Sequence, residues 1–448
     1  MWDQIQADAS LIAGAKSVLL QLNEAGFEAY LVGGCVRDTL LHKPIHDVDI
    51  TTSALPAEVM SIFEHTIPTG LQHGTITVVI DNNLFEVTTF REESEYEQYR
   101  RPTEVAFIQN LDGDLQRRDF TFNAMALDVE GNLHDPFLGL SDLTHRIVRC
   151  VGDANARFQE DALRMLRAIR FAACYDCKID EPTWYALQNH RDKLQYIAME
   201  RVRTELEKIV EKSLLSLVNG LELLARSELL SFTKSSLSEL VAAEEILRPR
   251  IELAADRASV ASWDAAADSI TRWALFFHRY GVSSLTAGSL MQQLKFANRT
   301  AADIVQLLQI SEWAESAQET GIQDEAQLLW IRAVVDYGKI TAGRMLELLK
   351  ADQLFAVRQF KFKDREQEGT FLHELNIHGA AWLSTIEISQ LADLAVRGQD
   401  IVKHLKRPPG PWLGILLKQM LYCVAIGEVP NTRSAILDEV NRVILAYE

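Results

Sequence analysis

The sequence has no long apolar run and few cysteines, and positive charge is not in excess. No window holds the about 18 consecutive apolar residues that a transmembrane helix needs. The N-terminal stretch MWDQIQADAS lacks the basic region and apolar run of a signal peptide. The five cysteines are scattered, and the pair at 174–177 (CYDC) has neither a second cysteine pair nor a His-x-His cluster beside it. We therefore expect a cytoplasmic protein with reduced thiols.

The chain is acidic, with a net charge of −18 and a sequence pI of about 5.1. This composition disfavours broad, non-specific coating of RNA, because phosphate affinity comes mainly from Lys and Arg. A local basic stripe can still bind phosphate on an acidic protein. The length of 448 residues exceeds what one hydrophobic core supports, so we expect several domains of about 100–150 residues each.

Strand and helix signals divide the chain into two parts. Residues 1–145 read as a small mixed α/β unit, whose strands are predicted at 27–34, 47–53, 74–81, 84–91 and 122–129. Asn82 and Asn83 predict a hairpin turn between the third and fourth of these strands. Beyond about residue 150, apolar residues recur at three- and four-residue spacing, which predicts helices throughout. The fold class is therefore α+β, with further breaks expected near 210 and near 313–325.

Two aspartates open the second predicted strand. In a strand, residues two apart point to the same face, so Asp47 and Asp49 project together while Val48 and Ile50 point to the core. Adjacent carboxylates repel each other unless a cation neutralises them, and hard oxygen ligands suit Mg²⁺. Glu86, on a neighbouring predicted strand, can supply a third carboxylate. A solvated strand edge remains the alternative for D-x-D taken alone.

A glycine turn precedes these aspartates. LVGG ends a buried strand and CVRDTLL starts a helix, so Gly33 and Gly34 allow the backbone to approach a phosphate at the helix N-terminus. Arg37 can add a charge-assisted contact. An exposed helical pair of Arg37 with Asp38 is the alternative. The full combination of glycine turn, arginine and D-x-D is much less expected by chance than any one part.

A charged stretch at 160–171, EDALRMLRAIRF, predicts one helix. Its acidic and basic residues lie three or four apart, so they are neighbours on the helix surface; they are Glu160, Asp161, Arg164, Arg167 and Arg170. A surface ladder of ion pairs is one interpretation. The polar stretch 91–108 predicts a mobile loop.

The segment YLVGGCVRDTLLHKPIHDVDITTS (30–53), which holds the glycine turn and D-x-D, resembles the nucleotidyltransferases of the DNA polymerase β superfamily. It resembles specifically the class II CCA-adding enzymes (tRNA nucleotidyltransferases, in the poly(A) polymerase family). Four further segments match that family in order: RRDFTFNAMALD (117–128), DPFLGLSDLTHRIVR (135–149), EDALRMLRAIRF (160–171) and RVRTELEKIV (201–210). Beyond residue 210 the similarity is mainly helical character, with GPWLG (410–414) and GEVPN (427–431) resembling the family's tail.

The resemblance implies addition of C, C and A to the 3′ end of tRNA from CTP and ATP, without a nucleic-acid template and with release of pyrophosphate. It implies a seahorse-shaped arrangement of head (1–145), neck (146–210), body (211–320) and tail (321–448). Asp47 and Asp49 would hold Mg²⁺, with Glu86 as a further catalytic carboxylate. The predicted partners are the tRNA acceptor stem and elbow, CTP and ATP, with no protein partner implied.

The resemblance also assigns nucleotide-binding roles. Asp161 would accept a hydrogen bond from the amino group of cytosine or adenine, and Arg164 would donate to the adjacent ring nitrogen. Uracil and guanine present the opposite arrangement, so a buried polar mismatch would reject them. Glu160 would orient Arg164, whereas Arg167 and Arg170 would steady the pair or meet phosphate.

The remaining candidates lie in the second motif and in the tail. Arg118 could bind the triphosphate or ribose, Asp119 could cap or pair with the arginines, and Asn123 could reach the sugar. In the tail, candidate phosphate contacts cluster near KRPPGPW, where a solvated basic turn is the alternative; they are Lys403, Lys406, Arg407 and Trp412. The loop at 91–108 would help to switch the pocket from CTP to ATP.

Three alternatives to full CCA addition stay open at this stage. A bacterial poly(A) polymerase shares the head and neck motifs, but would be expected to carry a basic C-terminal region, whereas this chain ends in SAILDEVNRVILAYE. An enzyme that adds only CC is the second. A non-catalytic tRNA-binding protein is the third, and it would be expected to have lost a metal carboxylate.

Overall fold

The computed structural model describes residues 1–97, 101–238, 240, 263, 268–279, 281–318, 326–356 and 371–447. The chain divides into two compact units, Met1–Glu245 and Ile246–Glu448. The predicted boundaries near 145, 210 and 320 are finer than this division and stay predictions. Among the described helices, none combines the length and the apolar character needed to cross a membrane.

All β structure of the described residues lies in the first unit. The strands are β1 Ala29–Val32, β2 Asp49–Thr52, β3 Thr66–Gly70, β4 Thr75–Ile80, β5 Asn83–Thr89, β6 Arg91–Glu97, β7 Arg101–Phe107, β8 Ala126–Leu127, β9 Leu133–His134, β10 Ile147–Val148 and β11 Lys178–Ile179. Seven form one mixed sheet in the order β3-β4-β5-β2-β1-β8-β9. β2 and β5 run parallel, and the other neighbours in this sheet are antiparallel.

Local sequence explains the central strands. Val48 and Ile50 are buried while Asp47 and Asp49 reach solvent, as the alternation predicted. The hairpin between β4 and β5 is also confirmed, one residue earlier than predicted. Asp81 and Asn82 take positive φ values of 49° and 62°, the conformation that two-residue hairpin turns require and that Asp and Asn tolerate.

The helices of the first unit surround this sheet and continue beyond it. They are α1 Ala9–Glu24, α2 Gly34–Leu40, α3 Pro56–Ile62, α4 Leu111–Gln116, α5 Gly139–Thr144, α6 Ala154–Glu160, α7 Leu163–Tyr175, α8 Glu181–His190, α9 Met199–Val210 and α10 Leu214–Ser227. Apolar residues recur at helical spacing over 9–25, and this stretch forms α1. Its first turn is capped by the Asp8 carboxylate, which accepts from the Ser10 N–H, and Gly26 follows its end with φ 89°.

Two local predictions are wrong. The stretch at 91–108 is not a loop in the described residues, because β6 and β7 pair antiparallel, with Arg91 opposite Phe107. Charged residues favour a loop in isolation, but the backbone hydrogen bonds of an antiparallel pair do not depend on apolar side chains. The strand predicted at 122–129 is reduced to β8, since Thr121–Asn123 forms a 3-10 turn in which the Asn123 side chain donates to Asp119 at 3.0 Å.

The second unit is helical throughout its described residues. Its helices are α11 Ser269–Arg279, α12 Ser284–Gln293, α13 Asn298–Gln318, α14 Ala326–Tyr337, α15 Lys339–Ala356, α16 Phe371–Thr385, α17 Gly398–Leu405, α18 Pro411–Ala425 and α19 Arg433–Tyr447. Ile401, Met420, Ile436 and Val440 form part of one core that joins α17, α18 and α19. The α+β class, with a mixed-sheet head followed by helices, is therefore confirmed.

Candidate active site

Three carboxylates meet where β2 and β5 begin to pair. The parallel register places Asp49 directly opposite Glu86, and Asp47 precedes β2 on the same side. Partial loss of solvent raises the pKa of Asp49, the charges of Glu86 and Asp47 raise it further, and Arg118 opposes them. The site therefore carries more negative charge than its own side chains neutralise.

The glycine turn lies against this edge. Gly33 has φ +74°, which an L side chain rarely adopts, and a Cβ there would lie 3.3 Å from Arg118 Nη1 and 3.6 Å from Asp49 Oδ2. Asp49 and Arg118 thus converge on a backbone position that only glycine leaves open. Within the described residues, the buried Nε of Arg118 has no hydrogen-bond partner. The Nη1 atom of the same guanidinium faces the Gly33 turn, where it can meet an anion such as a phosphate.

The carboxylate edge fits a Mg²⁺ ion. No three His, Cys, Asp or Glu side chains of the described residues enclose a metal position by themselves. Mg²⁺ does not need such a cage, because it keeps several waters and binds through one or two carboxylates plus substrate phosphates. The raised pKa of Asp49 and the uncompensated charges beside it are what such a cation would relieve.

A buried polar network connects the glycine-turn helix α2 to α7. Arg37 donates from Nη1 to Asn123 Oδ1 at 2.7 Å and also pairs with Asp38 at 2.6 Å. Asn123 donates to Asp119, which accepts two further bonds from Arg167, at 2.7 Å and 2.5 Å. Despite burial, the arginine charge and the Asn123 hydrogen bond hold the pKa of Asp119 far below its usual range.

This network determines what Arg37 and Asn123 contact. Arg37 is buried rather than an exposed helical residue, with its guanidinium 4.7 Å from the centre of the Tyr175 ring. A phosphate contact by Arg37 and a sugar contact by Asn123 stay predictions, since the network gives both side chains protein partners. Phe120 and Phe122 are core residues and pack against Phe171.

The charged stretch at 160–171 is not one helix. α6 ends at Glu160, Asp161 is extended with φ −137° and ψ 105°, and α7 begins at Leu163. The Asp161 carboxylate accepts from the Leu163 N–H at 3.0 Å, and such a local bond competes with the helical conformation. The break separates Asp161 from the regular helical spacing that the prediction assumed.

Each of the two predicted base-reading residues, Asp161 and Arg164, forms an ion pair with a different partner. Arg164 pairs with Glu160 at 2.5 Å, which agrees with the predicted orienting role of Glu160, and it donates to the Arg117 carbonyl at 2.8 Å. Asp161 pairs instead with Arg201 of α9 at 2.8 Å. Arg201 was not among the predicted site residues. It lies forty positions from Asp161, and a pairing over that distance leaves no local signal in the sequence.

The last charged residue of α7 has a structural environment. Arg170 pairs with the buried Glu205 of α9 at 2.5 Å and lies 3.9 Å from the centre of the Phe171 ring. This agrees with a steadying role more than with a phosphate contact, which stays a prediction.

The predicted tRNA-contacting residues lie in the second unit, around the turn between α17 and α18. Lys403, Lys406 and Arg407 are exposed, and within the described residues they form no ion pair. Arg407 lies 5.0 Å from the centre of the Trp412 ring, whose Nε1 donates to the Pro408 carbonyl. The turn therefore presents positive charge that no ion pair of the described residues neutralises.

Known proteins match nearly the whole chain. The family model described as "Poly A polymerase head domain" matches residues 29–149, and "tRNA nucleotidyltransferase domain 2" matches residues 265–440. The CCA-adding enzyme of Latilactobacillus sakei subsp. sakei is 36% identical over 428 residues, which are 95% of this chain and 96% of that protein. That of Limosilactobacillus reuteri is 33% identical over 429 residues, 96% of each chain.

The chain belongs to the CCA-adding enzymes. Among solved structures, the Bacillus stearothermophilus CCA-adding enzyme in complex with CTP is 31% identical, covers 97% of each chain and superimposes with a TM-score of 0.77. The family and the enzyme class that the sequence motifs predicted are therefore confirmed. Asp47 and Asp49, the two carboxylates whose loss a decayed, non-catalytic relative would show, are both present, and their metal-binding role stays a prediction.

Proposed function

We propose that this protein completes tRNA 3′ ends by adding C, C and A from CTP and ATP without a nucleic-acid template. The observation that carries the proposal is the pairing of Asp49 with Glu86 beside Arg118 and Gly33. This arrangement joins a cation-binding edge to an anion-binding turn, which is what transfer of a nucleotide from its triphosphate requires. The relatives whose names state this activity, at 33% and 36% identity over almost the full chain, support it.

The reaction is displacement at the α-phosphorus. The 3′ oxygen of tRNA forms a bond to the α-phosphorus of CTP or ATP, and the bond to the bridging oxygen breaks as pyrophosphate leaves. Asp47 and Asp49 would hold Mg²⁺ against the phosphates. When bound, Mg²⁺ supplies neutralisation of phosphate charge and activation of the attacking hydroxyl. Arg118 binds the triphosphate with the guanidinium edge that faces the Gly33 turn, where the glycine leaves room for a phosphate.

Base selection is the task of Asp161 and Arg164. A carboxylate acceptor and a guanidinium donor complement the amino group and ring nitrogen that cytosine and adenine share. The ion pairs with Glu160 and Arg201 hold the Arg164 and Asp161 side chains in fixed orientations. A selective site needs fixed orientations, because a mispaired base then leaves buried polar groups without hydrogen bonds. The tail turn at Lys403, Lys406 and Arg407 binds the tRNA backbone.

Two further assignments belong to the same proposal. We place the protein in the cytosol, where its five free cysteines fit a reducing environment. We also propose a head at 1–145, a neck at 146–210, a body at 211–320 and a tail at 321–448.

The test is transfer of labelled CTP, ATP, UTP and GTP to tRNAs that lack one, two or three terminal nucleotides. Full CCA activity predicts that each tRNA is extended to CCA and no further, with UTP and GTP excluded. Rejection of ATP by a tRNA ending in CC would indicate a CC-only enzyme, and long adenosine tails would indicate a poly(A) polymerase. Either outcome would overturn the proposal.

A further inference from the structure

Asp114 is a carboxylate of α4 that the proposed reaction leaves without a role. Its side chain is 0% exposed and accepts hydrogen bonds or ion pairs from several sides. Arg117 contacts Oδ1 at 2.8 Å, Arg118 contacts Oδ2 at 3.3 Å, and the Thr51 hydroxyl donates to Oδ2 at 3.1 Å. Burial opposes ionisation, yet Arg117 and Arg118 keep the pKa of Asp114 below its ordinary value.

Asp114 connects the two sides of the phosphate site. Thr51 follows Asp49 by two residues on β2, so the two side chains leave the same face of the strand. On the other side, Arg118 reaches the Gly33 turn, where its Nη1 and the Asp49 carboxylate converge. A single carboxylate thus ties the strand that carries Asp49 to the arginine beside it.

The same short segment also touches the base-reading arginine. The backbone carbonyl of Arg117, whose side chain Asp114 holds, accepts from Arg164 Nη2 at 2.8 Å. Arg164 contacts the Arg117 backbone, whereas Asp114 pairs with the Arg117 side chain, so the support of Arg164 does not pass through the Asp114 carboxylate. A buried carboxylate with arginine partners is weak evidence for a stability role, because apolar residues often replace such pairs without loss. Asp114 contacts both Thr51 of β2 and Arg118, which border the phosphate site, and these contacts indicate a role in that site.

We propose that Asp114 is a positioning residue that holds Arg118 against the glycine turn, where its guanidinium meets the nucleotide triphosphate. The proposal rests on the proposed function. All nucleotides share the triphosphate, so the effect of Asp114 on binding is independent of the base. This separates Asp114 from Asp161, whose effect depends on the base.

The test compares Asp114→Asn with Asp142→Asn. Asp142 of α5 is a matched control, since it is also buried and also accepts from a threonine hydroxyl and an arginine, at 2.7 Å from Thr121 and 3.0 Å from Arg149. It has no contact with the Gly33 turn among the described residues. Single-nucleotide addition by the full-length protein gives KM and kcat for CTP on tRNA that already ends in the first C of CCA and for ATP on tRNA ending in CC.

Asp114→Asn is expected to raise both KM values by the same factor, about tenfold, because a charged hydrogen bond is weakened. The inhibition constant of pyrophosphate should rise by that factor too, while kcat and exclusion of UTP change little. Asp142→Asn should leave all of these constants unchanged. Equal effects of the two variants on KM, or a loss of activity at unchanged KM, would overturn the proposal.

Two further variants keep the proposal falsifiable if Asp114→Asn does not fold. Thr51→Val removes one donor to Asp114 at nearly constant volume, and should raise both KM values by a smaller common factor, about threefold. Unchanged KM values in this variant would contradict the proposal. In the Arg118→Ala background, Thr51→Val should add no further increase, because the effect acts through Arg118. If the wild-type protein failed to extend tRNA at all, the proposed function would fail instead.

Discussion

Asp49 and Glu86 are direct neighbours on the parallel strands β2 and β5, although thirty-seven positions separate them in the sequence. The pairing places Asp49, the first residue of β2, beside Glu86 in the middle of β5, and Asp47 lies just before β2. Partial desolvation and the neighbouring charges raise the pKa of Asp49. A site that concentrates negative charge next to an anion-binding arginine is suited to hold a cation together with a phosphate chain.

Replacing Asp49 with Ala should abolish nucleotide transfer and spare tRNA binding. Loss of a metal ligand removes several kcal/mol of charge neutralisation at the phosphorus, which corresponds to about a thousandfold or more in rate. Rate constants come from single-turnover addition of CTP, and tRNA affinity comes from filter binding. Asp112→Ala, which removes an exposed carboxylate of α4, is the control. Retained transfer by the Asp49 variant would show that this carboxylate is not catalytic.

Neutralising the same side chain should stabilise the metal-free protein. Because the folded state raises the pKa of Asp49, its ionisation costs stability at pH values above that pKa. This cost in stability disappears as the pH falls below the ordinary pKa of an aspartate side chain, about 3.9. Asp49→Asn should therefore raise the melting temperature at pH 7 by about 1 °C without Mg²⁺. The difference should shrink when Mg²⁺ is added, and a lower melting temperature without metal would contradict the electrostatic argument.

Replacing Asp161 with Ala should let UTP compete with CTP. The variant lacks the acceptor whose mismatch with the uracil carbonyl rejects UTP, so selectivity should fall by about a hundredfold. Competition between labelled CTP and UTP on tRNA lacking CCA measures the ratio. Arg201→Ala should relax selection in the same direction, since Arg201 holds the Asp161 carboxylate. Unchanged selection in both variants would count against base reading by Asp161.

Replacing Asp119 with Asn should destabilise the first unit. The carboxylate is buried, and Arg167 and Asn123 depend on it, so the free energy of unfolding should fall by about 3 kcal/mol. The folded state lowers the pKa of Asp119. Its contribution to stability is therefore complete above about pH 5, and it is lost as the pH falls from the ordinary pKa of an aspartate towards the lower pKa of the folded state.

Urea unfolding of the wild-type protein and the variant between pH 7 and pH 3 checks this prediction. Asp176→Asn is the control, because its pair with Arg146 is largely exposed and should contribute about 0.5 kcal/mol or less. If the difference in the free energy of unfolding between wild type and Asp119→Asn stayed unchanged at pH 3, the ion pair would not be the cause of that difference.

Neutralising Lys403, Lys406 and Arg407 together should weaken tRNA binding. Three lost phosphate contacts would reduce the slope of log affinity against log salt concentration by about two. The KM for CTP should not change, because the nucleotide site is built from residues of the first unit. Arg442→Gln, which removes an exposed arginine paired with Glu439, is the control. An unaltered salt slope would place the tRNA contacts elsewhere.

Local chemistry made part of the fold predictable. The buried positions of Val48 and Ile50, the hairpin at Asp81 and Asn82, and the end of α1 near Gly26 each follow from residues a few positions apart. The helix break at Asp161 was not predictable from the sequence, because the charged residues around it match helical spacing. The hydrogen bond from the Leu163 N–H to the Asp161 carboxylate, which accompanies the break, leaves only a weak sequence signal. The strand pairing of β6 and β7 joins charged segments that show no apolar alternation.

The site was predictable in composition but not in its pairings. The motifs indicated Asp49, Glu86, Arg118 and Asp161, since these residue types suit phosphate and base chemistry. The ion pair of Asp161 with Arg201 and the contact of Asp114 with Thr51 join distant elements, and only the packed fold brings them together. No local periodicity distinguishes such partners from other charged or polar residues.

The central claim is that Asp47 and Asp49 hold a divalent cation against the phosphates of the incoming nucleotide. An anomalous difference map from a crystal soaked with Mn²⁺ and CTP tests it directly. We predict a metal peak within coordination distance of carboxylate oxygens of both residues, with the triphosphate beside Arg118. A map with CTP bound but without metal at these two carboxylates would contradict it.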